Sequence, residues 1–314
     1  MPDVHPDEEF KLLEKCSLCP RKCRVNRLEG NSGYCKSGSG FEISSILIHH
    51  GEEPAISGKK GICNVFFSRC NLQCIFCQNY QISRKSIIIR ISNPGKNEVI
   101  QSIENILNDG CESVGFVSPS HMIPQMIALI RALHQDGFYP YVVYNTNGYD
   151  SVETLKMLEG WVDVYLPDFK YSDRNLARKW SDAEDYPVVA ARAIREMYRQ
   201  KGNILHLSEN GIAERGIIIR HLVMPGKIEN SKAVLQFLAQ EISNKITISL
   251  MSQYHPTPMV TGMNSLNRKV RYNEYQQVVE EMELLGFSKG WVQDHESADF
   301  YNPDFESEFP FEKK

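Results

Sequence analysis

The spacing of apolar and polar positions changes along this chain. From about residue 60, short runs rich in β-branched and aromatic residues alternate with stretches whose apolar residues recur every three or four positions. The runs 62–67 (ICNVFF), 112–117 (ESVGFV), 140–145 (PYVVYN), 161–166 (WVDVYL), 216–223 (GIIIRHLV) and 246–251 (ITISLM) predict six strands. Helices are predicted over about 97–109, 122–136, 151–159, 187–200 and 229–243, and after the last strand over 273–285. In the fifth of these, Val234, Phe237, Leu238 and Ile242 share one apolar face. Residues 203–215, bounded by Gly202 and holding Asn210 and Gly211, read as a turn or hairpin inserted before the fifth strand. Strands alternating with helices imply an α/β fold with a parallel sheet. Six βα units fall short of a closed eight-stranded barrel, so the expectation is a partial barrel with its chemistry at the carboxyl ends of the strands.

Residues 16–40 break the pattern. They hold Cys16, Cys19, Cys23 and Cys35 among Gly, Ser, Arg and Lys, with too few apolar side chains to bury a core. The chain therefore divides into a Cys-rich extension (1–59), an α/β core (60–295) and a tail (296–314). The end of the chain, from residue 294, mixes seven acids with five aromatics and reads as solvated, with its rings packing partly on the core.

Composition narrows the class. At 314 residues, with 42% hydrophobic and 24% charged residues, this is an ordinary globular chain rather than a disordered or low-complexity one. A net charge of -4 argues against gripping nucleic-acid phosphates. The longest apolar run, Met126 to Ile130, is far too short for a membrane span. The opening MPDVHPDEEF lacks the basic and apolar regions of a signal peptide, so a cytoplasmic location is expected. Nine cysteines in a reducing compartment suggest metal or chemistry rather than disulfides, and eight of them lie in the first quarter of the chain. Cys63 and Cys111 stand apart, and for each the default is a small buried hydrophobe.

The strongest signal is Cys70-Asn71-Leu72-Gln73-Cys74-Ile75-Phe76-Cys77, directly after the first predicted strand. Thiolates are soft ligands that suit Fe–S clusters and zinc, and three of them leave one coordination position open. Three competing classes remain at this point. A zinc knuckle could borrow Cys63 as a fourth ligand. A zinc hydrolase or deaminase would need an acid/base Glu beside the metal, and none stands beside these cysteines. A metal-stapled, non-catalytic interaction module would leave the six βα units unexplained.

The CxxxCxxC spacing, with an aromatic before its last cysteine, resembles the radical S-adenosylmethionine (SAM) superfamily. The stretches CSLCPRKCRVNR, GNSGYC, HHGEEPAISG, FFSRCNLQCIFCQNYQIS, VSPSH, YNTNGYD, LPDFKY, IIIRHLVMPG and SLMSQYHP occur in the order seen in pyruvate formate-lyase activating enzyme-like proteins. They look most like the subgroup called the activating enzyme homologue, and the resemblance covers residues 16 to 295.

The resemblance implies a radical SAM partial barrel and an oxidoreductase. Its Cys70, Cys74 and Cys77 would hold a 4Fe-4S cluster that cleaves SAM reductively to a 5′-deoxyadenosyl radical. It also implies a low-potential electron donor of flavodoxin or ferredoxin type. The target would be a glycyl radical enzyme or another protein residue, with a small molecule as the alternative. Phe76 would sit near the adenine.

Further cofactor contacts are expected at strand ends. The family's usual Gly-Gly-Glu-like turn reads Ser118-Pro119-Ser120-His121 here, which leaves Ser118 as the candidate acceptor for the cofactor's amino group. Asn145 and Asn147, before Gly148, suit ribose hydroxyls. Asp168 and Lys170 alternate onto one face, as the matching Asp-x-Lys does in activating enzymes. Asn145 stands where the family often has Asp at a cation site. Arg220 interrupts an apolar strand and needs a partner, either a cofactor carboxylate that it clamps or Asp168. After the sixth strand, Gln253 and Tyr254 rank above His255. The set Cys16, Cys19, Cys23 and Cys35 is a candidate second site for zinc or an auxiliary Fe–S cluster, with free thiols as the alternative.

Overall fold

A computed structural model describes residues 8–86, 93–299, 302–307, 310 and 311. The expectations for the first seven residues and for the rest of the tail lie outside the described residues. All six expected strands form, within one to three residues of the predicted bounds. They are β2 (Ile62–Phe67), β3 (Ser113–Val117), β4 (Tyr141–Thr146), β5 (Val164–Pro167), β7 (Ala213–Leu222) and β8 (Thr247–Met251). The largest shifts are three residues: β5 begins at Val164 rather than 161, where Asp163 accepts the Val142 amide at 2.8 Å, and β7 begins at Ala213 rather than 216, its first residues pairing with a hairpin partner.

Three further strands form, two of them not expected. β1 (Ile43–His49) lies inside the Cys-rich stretch and pairs antiparallel with β2. β6 (His206–Leu207) pairs antiparallel with β7, the hairpin that residues 203–215 suggested. β9 (Gly290–Val292) adds a short parallel strand beside β8. The order β1-β2-β3-β4-β5-β7-β8-β9 is parallel from β2 onward and open at both edges, so the barrel is partial.

The strands carry continuous apolar runs because both faces are covered. Val114, Phe116, Tyr144, Tyr165, Ile219, Ile248 and Leu250 are fully buried. Each such side chain stabilises the fold by roughly 1.5–3 kcal/mol. Helices Lys96–Asn108, Ile123–Gln135, Val152–Met157, Tyr186–Lys201, Ile228–Leu238 and Tyr272–Leu284 form where the helical period placed them. An eight-residue helix, Arg174–Ser181, was not expected, being short and mostly polar; Ala177 and Trp180 form its buried face, and Asp173 caps it, accepting from the Asn175 and Leu176 amides. No helix among the described residues is long and apolar enough to cross a membrane.

Two appendages reach the carboxyl ends of the strands. The Cys-rich segment packs Leu13, Cys16 and Leu18 into the main core. In the tail, Phe305 meets Phe66 of β2 edge-on and Phe311 meets it tilted, with ring centroids 5.3 and 5.7 Å away.

Candidate active site

β2 ends at Phe67, and Arg69, in the left-handed region at φ +69°, turns the chain into the cysteine loop. The loop is tied down from outside: the Ile75 amide donates to the Trp180 carbonyl at 2.9 Å, and Gln78 Nε2 donates to the Gln253 carbonyl at 2.7 Å. Cys70, Cys74 and Cys77 thereby face one cavity of about 200 Å³ at the carboxyl ends of the strands. Each sulfur accepts a hydrogen bond, Cys70 from Asn147 Nδ2 at 3.2 Å, Cys74 from Ser181 Oγ at 3.0 Å and Cys77 from Ser83 Oγ at 3.3 Å. Cys63 is elsewhere, near the amino end of β2 beside Cys111, so it is no fourth member of the set.

Burial pushes the Cys70 thiol up to about 12 and the Cys74 thiol to about 11. Both are neutral in the free chain at ordinary pH, so binding a metal here must release protons. Among the described residues, no three His, Cys, Asp or Glu side chains are already closed around a position for a single metal ion.

The strand ends supply the rest of the lining. Ser118 follows β3 in the left-handed region (φ +52°, ψ +48°), a strained conformation for a residue with a side chain. Asn147 follows β4 and is braced by its second bond, Nδ2 to Asn71 Oδ1 at 2.8 Å. Gly148 sits at φ +80°, where an added Cβ would lie 2.1 Å from the Asp168 carbonyl oxygen. Phe76 is buried, with its ring against Tyr254 (6.2 Å) and Tyr171 (6.3 Å).

Arg220 is the hub of a charged network. Its Nε donates to Asp168 Oδ1 at 2.9 Å, one terminal nitrogen to Glu52 Oε2 at 3.2 Å and the other to Asn145 Oδ1 at 2.6 Å. Lys170 pairs with the other oxygen of Asp168. Burial alone would raise the Asp168 pKa, yet Arg220 and Lys170 hold it below the usual carboxylate range. Glu53 goes the other way: burial raises it more than Arg220 lowers it. The ion pairs themselves set two carboxylates, Asp168 and Glu52, against two cations, Arg220 and Lys170.

Of the residues expected to contact a cofactor, Cys70, Cys74, Cys77, Phe76, Ser118, Asn145, Asn147, Asp168, Lys170, Arg220 and Gln253 line this cavity. Tyr254 does not; it stands behind Phe76 and donates to the Leu266 carbonyl at 2.7 Å. His121 lies away from the cavity, in the turn Pro119–His121, with Nε2 on the Ser68 carbonyl at 3.0 Å. His255 bonds locally to the Pro256 carbonyl. Of the two partners considered for Arg220, Asp168 is present, and Glu52 joins it. Sequence reading missed Glu52, Gln78, Ser83 and Ser181. A signal existed only for Glu52, in the acidic pair that precedes Pro54.

The chain belongs to the radical SAM superfamily, whose family model matches residues 64–238, from β2 through the helix after β7. An uncharacterized protein of Methanocaldococcus jannaschii is 29% identical over 283 residues, 88% of this chain and 77% of its own. Among solved structures, Streptococcus suis SuiB bound to S-adenosylmethionine is similar at TM-score 0.47 and 12% identity, over 72% of this chain and 48% of that one. The chain thus spans about half the length of SuiB. A domain of a pyruvate-formate lyase-activating enzyme from Bacteroides vulgatus matches at TM-score 0.38 and 17% identity, over 55% of this chain and 93% of that one.

Proposed function

We propose that this chain is a radical SAM oxidoreductase in which Cys70, Cys74 and Cys77 hold a 4Fe-4S cluster. The observation that carries the reading is the convergence of three hydrogen-bonded thiols on one cavity at the strand ends. Such a cluster takes one thiolate per iron, so the donor set must share a cavity without the sulfurs touching, and these three fit that demand. When bound, the cluster supplies one electron to the sulfonium of SAM, leaving methionine and a 5′-deoxyadenosyl radical that abstracts hydrogen from the target.

The chain's own residues then position and insulate. Asn147, Ser181 and Ser83 donate to the three sulfurs, and such bonds tune a cluster's potential. Phe76, Ser118, Asn145, Asn147 and Gln253 line the space beside the cysteines, where adenosine and methionine groups would lie. Asp168, Lys170, Arg220 and Glu52 form its charged wall, which accepts or donates at fixed points without net charge. Tyr254 acts by backing Phe76.

The target is proposed to be a protein residue, a glycine of a partner enzyme among the candidates, with a flavodoxin or ferredoxin as electron donor in the cytoplasm. This rests on the resemblance to activating enzyme-like proteins. Anaerobic reconstitution with iron and sulfide, then assay of 5′-deoxyadenosine, tests the class. Cleavage is expected in the parent and is expected to vanish in a Cys70→Ala, Cys74→Ala, Cys77→Ala variant. Robust cleavage by that variant refutes the reading.

A further inference from the structure

Outside the candidate active site, the most unusual charge in the molecule is Arg27. Its side chain is 1% exposed, and among the described residues it pairs with no carboxylate. Its guanidinium donates to the Gly38 carbonyl through Nε at 2.9 Å and to the His121 carbonyl at 2.6 Å, and it approaches Met122 Sδ at 3.3 Å and Cys16 Sγ at 3.9 Å. Carbonyls satisfy its N–H groups but do not neutralise it. A buried cation without a counter-charge is costly, so the counter-charge must come from what it faces.

It faces sulfur. Cys16, Cys19, Cys23 and Cys35 line one small cavity together with Arg27, Arg21 and His121. Arg21 is a second guanidinium without a carboxylate among the described residues. Its Nε bonds to the Asn71 carbonyl at 3.0 Å, it lies over the Tyr34 ring at 3.8 Å, and one terminal nitrogen is buried and unpartnered. His121 is buried too, and its Nδ1 has no hydrogen-bond partner.

The backbone is already bent toward the sulfurs. Lys22, Arg24 and Lys36, each next to a cysteine, occupy the left-handed region at φ +43°, +57° and +65°. The Tyr34 amide donates to Cys23 Sγ at 3.2 Å, and Gly33 passes so close that an added Cβ would lie 2.8 Å from that sulfur. All four cysteines are free of disulfides.

We infer that Cys16, Cys19, Cys23 and Cys35 bind a single soft divalent metal ion of the zinc class, as a tetrathiolate whose negative charge Arg21 and Arg27 neutralise. One dication and four thiolates carry two negative charges, which two guanidiniums cancel. Neutral thiols would leave both cations unbalanced. The cavity beside these four sulfurs is about 10 Å³ against about 200 Å³ beside Cys70, and one ion demands less space than a cage of irons and sulfides. In the free chain the four sulfurs are not yet closed to single-ion distances, so binding draws them inward and orders the segment.

The test uses the full chain carrying Cys70→Ala, Cys74→Ala and Cys77→Ala, which leaves the quartet as the remaining thiol cluster. We expect about one zinc per chain after gel filtration. Cobalt substitution should give the thiolate-to-metal and ligand-field absorption of a tetrahedral sulfur site. Cys19→Ser with Cys35→Ser should cut retained zinc by about tenfold or more. If that variant does not fold, Arg27→Met with all four cysteines intact should speed zinc release to a chelator by about tenfold. Iron with inorganic sulfide in place of zinc overturns the single-ion assignment. A folded chain that takes up neither zinc nor cobalt overturns the site, and unchanged release from Arg27→Met overturns the charge argument.

Discussion

Asp168 and Arg220 are register partners across β5 and β7, bonded side chain to side chain at 2.9 Å and joined again where the Phe169 amide meets the Arg220 carbonyl at 2.9 Å. The ladder between these strands otherwise pairs only Val164 with Gly216 and Tyr165 with Ile217. The ion pair therefore closes the sheet at the end where the cavity opens.

Asp168→Asn should expose the value of that closure. It leaves Arg220 with Glu52 alone and Lys170 with no carboxylate on its own strand. Removing one partner of a buried pair costs about 3–5 kcal/mol, and the remaining Glu52 should keep the loss near the lower value. Urea unfolding checks it. A midpoint equal to the parent's would show that Glu52 suffices alone.

Gly148→Ala should act on the same closure from β4. The added Cβ would meet the Asp168 carbonyl at 2.1 Å and the Tyr186 hydroxyl at 3.0 Å, and the backbone sits at φ +80°. Neither neighbour is a flexible chain end, since the Tyr186 hydroxyl is held by the Asn147 and Asp168 carbonyls. A loss of more than about 1 kcal/mol is expected from strain in the left-handed region alone. Thermal unfolding of the variant measures it.

Much of this was legible in the sequence, for reasons that vary by residue. The parallel strands showed themselves because burial on both faces demands continuous apolar runs. Asp168, Arg220, Asn147 and the cysteines showed themselves because polar groups at such strand ends are conspicuous. β1 hid because ISSILIH is half-exposed, and β9 because three residues carry no period. Glu52 was marked only by the acidic pair before Pro54, because a carboxylate after a strand reads as surface. Only the antiparallel β1–β2 pairing carries it over the sheet to Asn64, Asn145 and Arg220. Ser181 and Ser83 needed the fold itself, since neither spacing nor composition marks a serine that will face a sulfur.

His221 gives a pH dependence with a definite sign. It is fully buried on β7 with Nδ1 on the Phe169 carbonyl at 2.6 Å, and burial lowers its pKa to about 4. In the unfolded chain it protonates near 6.5. Between those values the unfolded state binds more protons, so stability falls as pH drops from about 6.5 to 4, by at most about 1.4 kcal/mol per pH unit. His221→Gln should flatten that limb. Unfolding free energies at several pH values test it, and an unchanged slope assigns the acid sensitivity to other groups.

The tail borders the cavity. Pro303 and Phe311 line it beside His49 and Phe66, and Gln81 holds the segment through the Asp304 carboxylate (2.9 Å) and the Phe305 amide (2.8 Å). Its rings rest on Phe66, Ile82 and Val117, an apolar patch next to the charged wall. Deleting residues 302–314 should cost about 1.5–3 kcal/mol, the burial of roughly one large apolar side chain. The reconstituted enzyme should then form 5′-deoxyadenosine faster without substrate, because a closed site excludes water and stray hydrogen donors. Stability and unprimed turnover are measured on the same preparation. A truncated chain with the parent's unprimed rate would mean that the tail packs on the barrel without guarding it.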